Sequence, residues 1–482
     1  MVTYTWQRGS FLFTLALIYS LNSSQGHEIS TSTKLELIHL HNLPTSRVNR
    51  SQLDRLRHLF HMDTIRLNDI SKKIRLKNGI DNAIRRHVLE STNRSGSKDY
   101  NVTGEMEMFS GADYGTGQYF VHFKIGSPAQ KFVLIVDTGS DLTWMNCKYR
   151  CSNGDRCRRS SRKKRVFRAD HSSSFKTVPC SSRMCKNELA NLFSITRCPS
   201  PMDPCAYDYR YSDGSSALGL FASETVTFSL TNGRKTRLHN VLVGCSESTR
   251  GQSFQGADGV MGLGYSNYSF AVKEANKFGG KFSYCLVDHL SPKNISSYLI
   301  FGSYKESLNL TLNKMRYTDL VLGVINPFYA VNIKGISIGE SMLEIPSEVW
   351  NVNGVGGTIL DSGSSLTSLV QPAYKLVMAA LKLSLLDFER LNLNFGLEYC
   401  FNSTGFNESL VPRLVFHFTD GARFEPYVKS YVIDVAMGVK CLGFVPAIWP
   451  GASVIGNIMQ QNYFWEFDLV NSKLGFASST CT

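Results

Sequence analysis

Two aspartates, far apart in the chain, stand in nearly the same sequence surroundings. Asp137 ends the apolar run FVLIVD and precedes Thr-Gly-Ser, and Asp361 ends GGTILD and precedes Ser-Gly-Ser. One such triplet means little, because turns favour Asp, Ser and Gly for structural reasons. Two copies, each behind an apolar strand, predict two carboxylates at the ends of buried hairpins. Each glycine permits a tight loop in which backbone N–H groups approach the carboxylate.

A pair of carboxyl groups held close together can perform acid and base chemistry at once. Two such groups in a partly dry site cannot both ionise cheaply, so they share one proton and titrate as a coupled pair. The ionised member takes a proton from a bound water, and the protonated member stabilises the oxyanion that forms on the attacked carbonyl. This chemistry needs no cofactor and no metal, and we expect neither.

We therefore predict that Asp137 and Asp361 are catalytic. Hydroxyl and backbone groups of the two loops are available to fix the carboxylates by hydrogen bonds. The predicted supporting residues are Thr138, Gly139, Ser140, Ser362, Gly363 and Ser364.

The two aspartates belong to a longer internal repeat. The segments at 132–144 and 356–369 answer each other, and each is followed downstream by two apolar residues and a glycine, at 260–262 and 454–456. The first interval is about thirty residues longer and holds a dense group of cysteines. This pattern predicts two related β lobes with an insertion in the first.

Composition divides the chain into four parts. Residues 1–26 have the shape of a signal peptide, and their apolar run is too short to span a bilayer, which takes ~20 apolar residues. Residues 27–105 are basic, with Leu and Ile at helical spacing, which predicts a helical pro-segment. The short strands that follow predict an N-terminal lobe at 106–320, with a cysteine-rich insertion at 147–205, and a C-terminal lobe at 321–482.

The twelve cysteines are typical of a disulfide framework in an oxidising compartment. Zinc is the alternative for the close pairs Cys147/Cys151 and Cys180/Cys185, but no paired histidines or second tight cysteine pair follow at finger spacing. Asn-x-Ser/Thr sequons support passage through the secretory lumen. They include Asn101, Asn267, Asn294, Asn309, Asn402 and Asn407.

The net charge of +13 is unevenly distributed. Residues 27–104 carry 14 basic and eight acidic side chains, a net charge of +6. The run at 156–168 adds eight positive charges and no acid. It lacks the interleaved aromatic residues of a nucleic-acid platform, which favours a solvated loop; an anion-binding patch or a site of proteolytic nicking is the alternative. We expect no nucleic-acid partner and no membrane span.

These motifs resemble the pepsin-like aspartic protease family, and within it the plant nepenthesin type, from about residue 111 to residue 481. The segments GADYGTGQYF, FSYCLVDHL, GGTILDSG and VIGNIMQQNY carry the resemblance. It implies an all-β, bilobal fold with a cleft between the lobes, and a catalytic dyad of Asp137 and Asp361 with Ser140 and Ser364 as hydroxyl partners. It also implies that 260–262 and 454–456 thread beneath the catalytic turns.

The resemblance further implies a hairpin flap that carries a tyrosine. In YRYSDGSS, Tyr211 takes that position, with the Trp144 indole as its hydrogen-bond partner. Tyr209 is the competing flap residue, and ordinary aromatic packing is the alternative for both. Ser212 stands where many members of the family have glycine.

Six disulfides follow from the resemblance alone, since sequence does not fix connectivity. The implied pairs are Cys147 with Cys151, Cys157 with Cys245, Cys180 with Cys205, Cys185 with Cys198, Cys285 with Cys481, and Cys400 with Cys441.

The predicted function is therefore an endopeptidase, acting as a monomer on protein or peptide substrates with an acidic optimum and a preference for apolar residues around the cut. The basic pro-segment is expected to cover the anionic dyad until acid releases it. Two other functions stay open: a binding protein on the same fold, since some plant relatives inhibit other enzymes, and a structural glycoprotein whose basic loop binds anionic polymers. The leader points to an extracellular or vacuolar location, whereas some relatives of this type are associated with chloroplasts.

Overall fold

The computed structural model describes residues 104–110 and 117–481 apart from short gaps, and Asp63, Arg66 and Ile70 of an N-terminal helix. The longest gaps are 150–164, 289–296 and 304–313. The predicted signal peptide, most of the predicted pro-segment and most of the basic run at 156–168 lie outside the described residues, as do Ser212, Cys151 and Cys157.

The described chain is mainly β, as its frequent short apolar runs predict. Strands of the first half are β1 Gly104–Ser110, β2 Tyr119–Ile125, β3 Gln130–Asp137, β4 Trp144–Lys148, β5 Phe167–Arg168, β6 Lys176–Thr177, β7 Ala206–Arg210, β8 Ser216–Ser229, β9 Lys235–Arg250, β10 Gly259–Gly262, β11 Lys281–Cys285 and β12 Ser297–Phe301.

The second half repeats this pattern. Its strands are β13 Arg316–Val321, β14 Tyr329–Val331, β15 Ile333–Ile338, β16 Ser341–Met342, β17 Thr358–Asp361, β18 Thr367–Val370, β19 Arg390–Leu391, β20 Cys400–Asn402, β21 Leu414–Phe418, β22 Arg423–Phe424, β23 Val432–Ala436, β24 Val439–Leu442, β25 Phe444–Ala447, β26 Ser453–Gly456, β27 Tyr463–Asp468 and β28 Lys473–Ser478.

Helices are short within the described residues. Besides the N-terminal helix, the α-helices there are α1 Phe270–Ala275 and α2 Gln371–Leu383, and one π-helical segment covers Met184–Leu189. The 3₁₀ turns are Ala169–His171, Ser347–Trp350, Glu408–Leu410 and Val428–Ser430. None of the helices in this part of the chain has the length and apolar character needed to cross a bilayer.

The two halves place their aspartates by the same strand arrangement. β3 runs parallel to β10 with Asp137 beside Gly262, and β17 runs parallel to β26 with Asp361 beside Gly456. Apart from the first two residues of β3, these inner strands are buried, and their sequences are continuous apolar runs rather than alternating ones. The repeat seen in the sequence is therefore a repeat in space, and the bilobal β architecture is confirmed.

A shared sheet joins the lobes. β12 pairs with β11, β11 with β27, and β27 with β28, all antiparallel, so strands from both ends of the chain lie side by side. The Phe282 and Phe467 rings stack across this sheet with centroids 4.6 Å apart. Both rings are buried, and burial of apolar surface is stabilising at ~25 cal/mol per Å². The sheet holds the two aspartate-bearing halves in fixed register.

Four of the six implied cysteine pairings are wrong. The structure pairs Cys147 with Cys245, because β4 and β9 run side by side and bring the two Cα atoms to 4.9 Å. Cys147 therefore does not pair with Cys151, nor Cys245 with Cys157.

The insertion is also connected differently. Cys180 pairs with Cys198, and Cys185 pairs with Cys205. The sulfurs of Cys180, Cys185 and Cys198 all lie within 4.8 Å of one another, so order along the chain could not decide between the partners.

The remaining two disulfides are those the resemblance implies. Cys285–Cys481 ties the end of the chain to the shared sheet, and Cys400–Cys441 joins residues that face each other across β20 and β24.

Candidate active site

Two loops, 137–140 and 361–364, meet at the interface of the lobes and are tied to each other by hydrogen bonds. The Thr138 N–H donates to Ser362 Oγ at 3.0 Å, and the Ser362 N–H donates to Thr138 Oγ1 at 2.9 Å. The Ser362 hydroxyl in turn donates to the carbonyl of Val136 at 3.0 Å. All of these groups are buried. The hydroxyls of Thr138 and Ser362 thus fix the opposite loop's backbone, and not the carboxylates as the sequence suggested.

Each carboxylate receives a hydrogen bond from its own loop. The Gly139 N–H donates to Asp137 Oδ1 and the Gly363 N–H donates to Asp361 Oδ1, both at 3.0 Å. The Ser364 hydroxyl donates to Asp361 Oδ2 at 2.7 Å, as the resemblance implies.

Ser140, the counterpart of Ser364, is placed differently. Its hydroxyl is buried near Asp137, but it makes no hydrogen bond of good geometry to any described residue. It is nevertheless close enough to favour the charged form of that carboxyl. The two halves are therefore not identical at the site.

The glycines bring each loop against the other loop's carboxylate. A Cβ atom on Gly139 would lie 2.7 Å from Asp361 Oδ1, and one on Gly363 would collide with Asp137 Oδ1. Real Cβ atoms do not approach oxygen so closely, so only glycine fits here. The loops consequently bring both carboxylates to one place.

Arg66, from the N-terminal helix, lies between the two carboxylates. Its Nη2 donates to Asp137 Oδ1 at 2.6 Å and to Asp361 Oδ1 at 2.8 Å, and its Nε donates to Asp361 Oδ2 at 2.6 Å. The Arg66 side chain is 13% exposed, and those of Asp137 and Asp361 are 3% and 0% exposed. One guanidinium nitrogen thus contacts both halves of the pair.

The environment separates the pKa values of the two aspartates. Burial raises the pKa of Asp137, but the charge and hydrogen bonds of Arg66 outweigh burial and hold it below its ordinary value. For Asp361, burial is the largest effect, and with the neighbouring charge of Asp137 it keeps the pKa above its ordinary value in spite of Arg66. Asp137 is therefore the more readily ionised member.

A hairpin made by β7 and β8 covers this site. The Tyr211 N–H donates to the Ser215 carbonyl, and Gly214 turns the chain at a φ of +79°, which glycine adopts without strain. The Tyr211 hydroxyl accepts a hydrogen bond from Trp144 Nε1 at 2.6 Å. Tyr209, the competing residue, instead accepts from the Asp141 N–H at 3.3 Å.

A small pocket remains between the hairpin and the aspartate loops. Three of its seven lining residues are aromatic and two are arginines. It is formed by Arg66, Gly139, Ser140, Tyr209, Arg210, Tyr211 and Phe328. The pocket therefore combines aromatic rings with charged and polar groups beside the aspartate loops.

Comparison with known proteins assigns the family. Residues 119–303 match the family model described as "Xylanase inhibitor N-terminal", and residues 328–478 match "Xylanase inhibitor C-terminal". "Aspartyl protease family protein 2" of Arabidopsis thaliana is 34% identical over 380 residues, covering 77% of this chain and 73% of that protein. "Aspartic proteinase nepenthesin-1" of Nepenthes gracilis is 32% identical over 376 residues, covering 76% and 79%.

The chain belongs to the plant pepsin-like aspartic protease family. "Protein ASPARTIC PROTEASE IN GUARD CELL 2" of Arabidopsis thaliana is 30% identical over 464 residues and covers 95% of this chain. With such relatives over most of its length, this plant aspartic protease is an aspartic-type endopeptidase.

Solved structures share the fold of this plant aspartic protease at lower identity. The crystal structure titled edgp has a TM-score of 0.63 and 20% identity over 79% of this chain and 95% of that one. Basic 7S globulin from soybean has a TM-score of 0.61 and 19% identity, over 78% and 97%. Both likenesses concern the fold alone.

Three site residues of this plant aspartic protease were not singled out by sequence reasoning. Arg66 and Asp63 are two charges among many in a polar helical segment, and nothing in spacing marks them. The third, Asn457, is fully buried beneath the second catalytic loop, where its Nδ2 donates to the Ser362 carbonyl at 2.9 Å. Its place directly after the 454–456 segment was the available signal.

Proposed function

We propose that this protein hydrolyses internal peptide bonds with a water activated between Asp137 and Asp361, and that the chain with its N-terminal helix is the latent precursor. The observation that carries the proposal is the convergence of both carboxylates on one atom, Arg66 Nη2. Two carboxylates that can share one nitrogen can share one proton and one water once the arginine has left.

In the released enzyme the two carboxyl groups hold a single proton. With Arg66 in place, the pKa of Asp137 is lowered and that of Asp361 is raised. We assign the same roles in the released enzyme, with Asp361 as the protonated member and Asp137 as the base. Asp137 takes a proton from the water, which attacks the substrate carbonyl, and Asp361 donates to the forming oxyanion. The proton held by Asp137 then passes to the leaving amine. No covalent intermediate forms.

Supporting groups keep this geometry. The backbone N–H groups of Gly139 and Gly363 and the Ser364 hydroxyl orient the carboxylates, and the hydrogen bonds between Thr138 and Ser362 keep the loops together. Ser140 orients Asp137 less strongly than Ser364 orients Asp361, because its hydroxyl makes no hydrogen bond of good geometry to a described residue.

Tyr211 closes the site as the flap residue. Its hydroxyl is held by Trp144, and burial raises the pKa of Tyr211 well above its ordinary value, so the phenol stays neutral. The aromatic walls of Tyr209, Tyr211 and Phe328 support a preference for apolar side chains next to the cut.

Arg66 explains latency. Its guanidinium occupies the space between the carboxylates and neutralises the charge that would bind and activate water. Protonation of the carboxylates removes the partner of the arginine, so acid releases the helix and an acidic optimum follows. Buried ion pairs lose most of their value when one partner is neutralised.

The disulfides of the described chain support the secretory pathway, with an extracellular or vacuolar destination. A fusion of residues 1–30 to a fluorescent protein separates this from chloroplast import. We propose that the enzyme acts as a monomer on protein or peptide substrates.

A second function, binding and inhibition of another enzyme, has support from the description of the matching family model. The retained pair of aspartates, with their glycines and hydroxyl partners, favours catalysis over that alternative.

The test is hydrolysis of a denatured protein by acid-treated precursor. We expect new internal N-termini and loss of cleavage on adding a pepstatin-like inhibitor. Intact substrate after acid treatment, with the precursor folded, would favour the binding protein.

A further inference from the structure

The carboxylate of Asp63 is held by two backbone N–H groups of the C-terminal lobe. The Ser365 N–H lies 3.1 Å from both Oδ1 and Oδ2, and the Leu366 N–H donates to Oδ2 at 2.6 Å. Asp63 is 4% exposed. Ser365 and Leu366 directly follow the loop 361–364, so this contact lies four to five residues along the chain from Asp361.

Asp63 and Arg66 lie on one face of the helix, because residues three apart in a helix are neighbours. Ile70 follows four residues later on the same face. It is 1% exposed and joins an apolar cluster whose other members all lie between residues 321 and 458. The described helix residues thus present a carboxylate, a guanidinium and an apolar side chain in a row.

A buried carboxylate is an expensive group unless it is hydrogen-bonded. Here burial raises the pKa of Asp63 to about 7, although the hydrogen bonds from Leu366 and Ser365 and the charge of Arg66 all act to lower it. The protonated form of Asp63 is therefore increasingly populated below neutral pH, and it can still accept the hydrogen bonds of Ser365 and Leu366.

We propose that Asp63 is a second anchor of the latent precursor, one that fixes the helix to the C-terminal lobe independently of the ion pair between Arg66 and the aspartates. The inference rests on the proposed function, because it concerns regulation of the same site. The hydrogen bonds of Asp63 and the apolar cluster of Ile70 lie in the C-terminal lobe, whereas Arg66 also reaches Asp137 of the other lobe.

The second anchor opposes early release. The charged groups that face Asp63 are Arg66 on its own helix and Asp361 on the catalytic loop. Because the pKa of Asp63 is raised in the docked state, docking takes up a proton, and mild acid strengthens this contact. Protonation of the aspartate pair weakens the Arg66 contact. The helix therefore stays in place until the pH falls far enough for the second effect to prevail.

Removal of the Asp63 carboxylate is expected to weaken docking of the helix. Alanine at this position leaves the N–H groups of Ser365 and Leu366 buried under the helix without an acceptor. Asparagine keeps one oxygen that can accept from both N–H groups, as Oδ2 does, but it lacks the negative charge and places an amide nitrogen, which cannot accept, at the other position. Both variants weaken docking, and alanine does so more.

The experiment uses the full chain in three variants, D63A, D63N and the charge-matched control D69A. The first measurement is hydrogen exchange at pH 7 in the peptide that contains Ser365 and Leu366. We expect exchange at least about tenfold faster in D63A, a smaller increase in D63N, and no change in D69A, since loss of a charged hydrogen bond changes populations by such factors. The second measurement is the pH at which half of the precursor becomes active, which we expect to rise in the same order.

Unchanged exchange in both D63A and D63N overturns the proposal, as does faster exchange with an unchanged activation pH. If D63A does not fold, D63N alone decides. A precursor that never gains peptidase activity in acid, but whose D63A variant exchanges faster, counts against the proposed function and supports the anchor.

Discussion

Arg66 and Asp361 are joined by two parallel hydrogen bonds, Nε to Oδ2 at 2.6 Å and Nη2 to Oδ1 at 2.8 Å. This fork-to-fork geometry is the strongest that arginine makes with a carboxylate. Nη2 also reaches Asp137, so a single side chain engages the whole catalytic pair. Arg66 therefore lies where the proposed mechanism places the catalytic water.

Replacing Arg66 should make the precursor active without acid treatment. We expect the R66A precursor to be active at a pH where the wild type is not, and R66K to fall between them, since lysine cannot form the forked contact. Charged hydrogen bonds contribute about 1.5–3 kcal/mol each, so the open population should rise at least about tenfold. Initial rates on a fluorogenic peptide measure this. R57A, which removes a charge from the same segment, serves as the control, and an R66A precursor as latent as wild type would refute the role.

Latency should be lost on acidification and not on raising the pH. Burial raises the pKa of Asp137, but Arg66 lowers it by more. With the N-terminal helix docked, the pKa of Asp137 therefore lies below its ordinary value. A group with a depressed pKa stabilises the docked state above its ordinary pKa, and this stabilisation is lost as the pH falls through the docked value. Activation followed from pH 7 down to pH 3 should therefore show increasing release. Release that grows toward alkaline pH is inconsistent with the Arg66 contact.

Tyr211 and Tyr209 should differ in function although they are neighbours. Y211F removes the acceptor of the Trp144 indole N–H, and an unsatisfied buried donor costs about 1–3 kcal/mol. We expect kcat/KM to fall about tenfold or more. Y209F loses only a 3.3 Å contact and should stay within about threefold of wild type, since that hydrogen bond is weak. Equal effects of the two substitutions would remove Tyr211 from the flap role.

The hydrogen bonds between the lobes should be needed for stability. S362A removes the acceptor of the Thr138 N–H and the donor to Val136, and we expect it to lower the free energy of unfolding by about 2 kcal/mol. Chemical denaturation of the full precursor measures this change. S409A, on an exposed turn, is the control. A stability equal to wild type would show that these bonds are dispensable.

Peptide mapping under non-reducing conditions should recover Cys147–Cys245, Cys180–Cys198 and Cys185–Cys205. The paired substitutions C285S and C481S together should cost about 2–5 kcal/mol of stability, since that bridge closes the longest loop of the described disulfides. Recovery of Cys180–Cys205 instead would return the connectivity to the pattern that the family resemblance implies.

The fold could be predicted from the sequence, and so could the two aspartates that the structure brings together, because both depend on local sequence patterns. An apolar strand followed by Asp-x-Gly-Ser fixes its own loop, and its repetition implies two lobes. Contacts between segments that are distant in the sequence could not be predicted from local patterns. The partners of Thr138 and Ser362 depend on how the lobes meet, and Arg66 depends on where a helix docks.

The cysteines illustrate the same limit. Cys400 and Cys441 face each other in one small sheet, whereas the partner of Cys147 was set by β4 lying beside β9, a pairing that no local pattern records.

Cleavage of a single peptide by acid-treated D137N and D361N tests the central claim most directly. Asparagine preserves the shape of each side chain and cannot hold or release the shared proton, so either substitution should lower kcat/KM by at least about a thousandfold, the scale expected for loss of acid–base catalysis. D319N, an exposed aspartate paired with Lys473, should leave the rate unchanged. Substantial cleavage by D137N or D361N, with the protein folded and free of contaminating protease, would contradict the assignment of the two carboxylates as the catalytic pair.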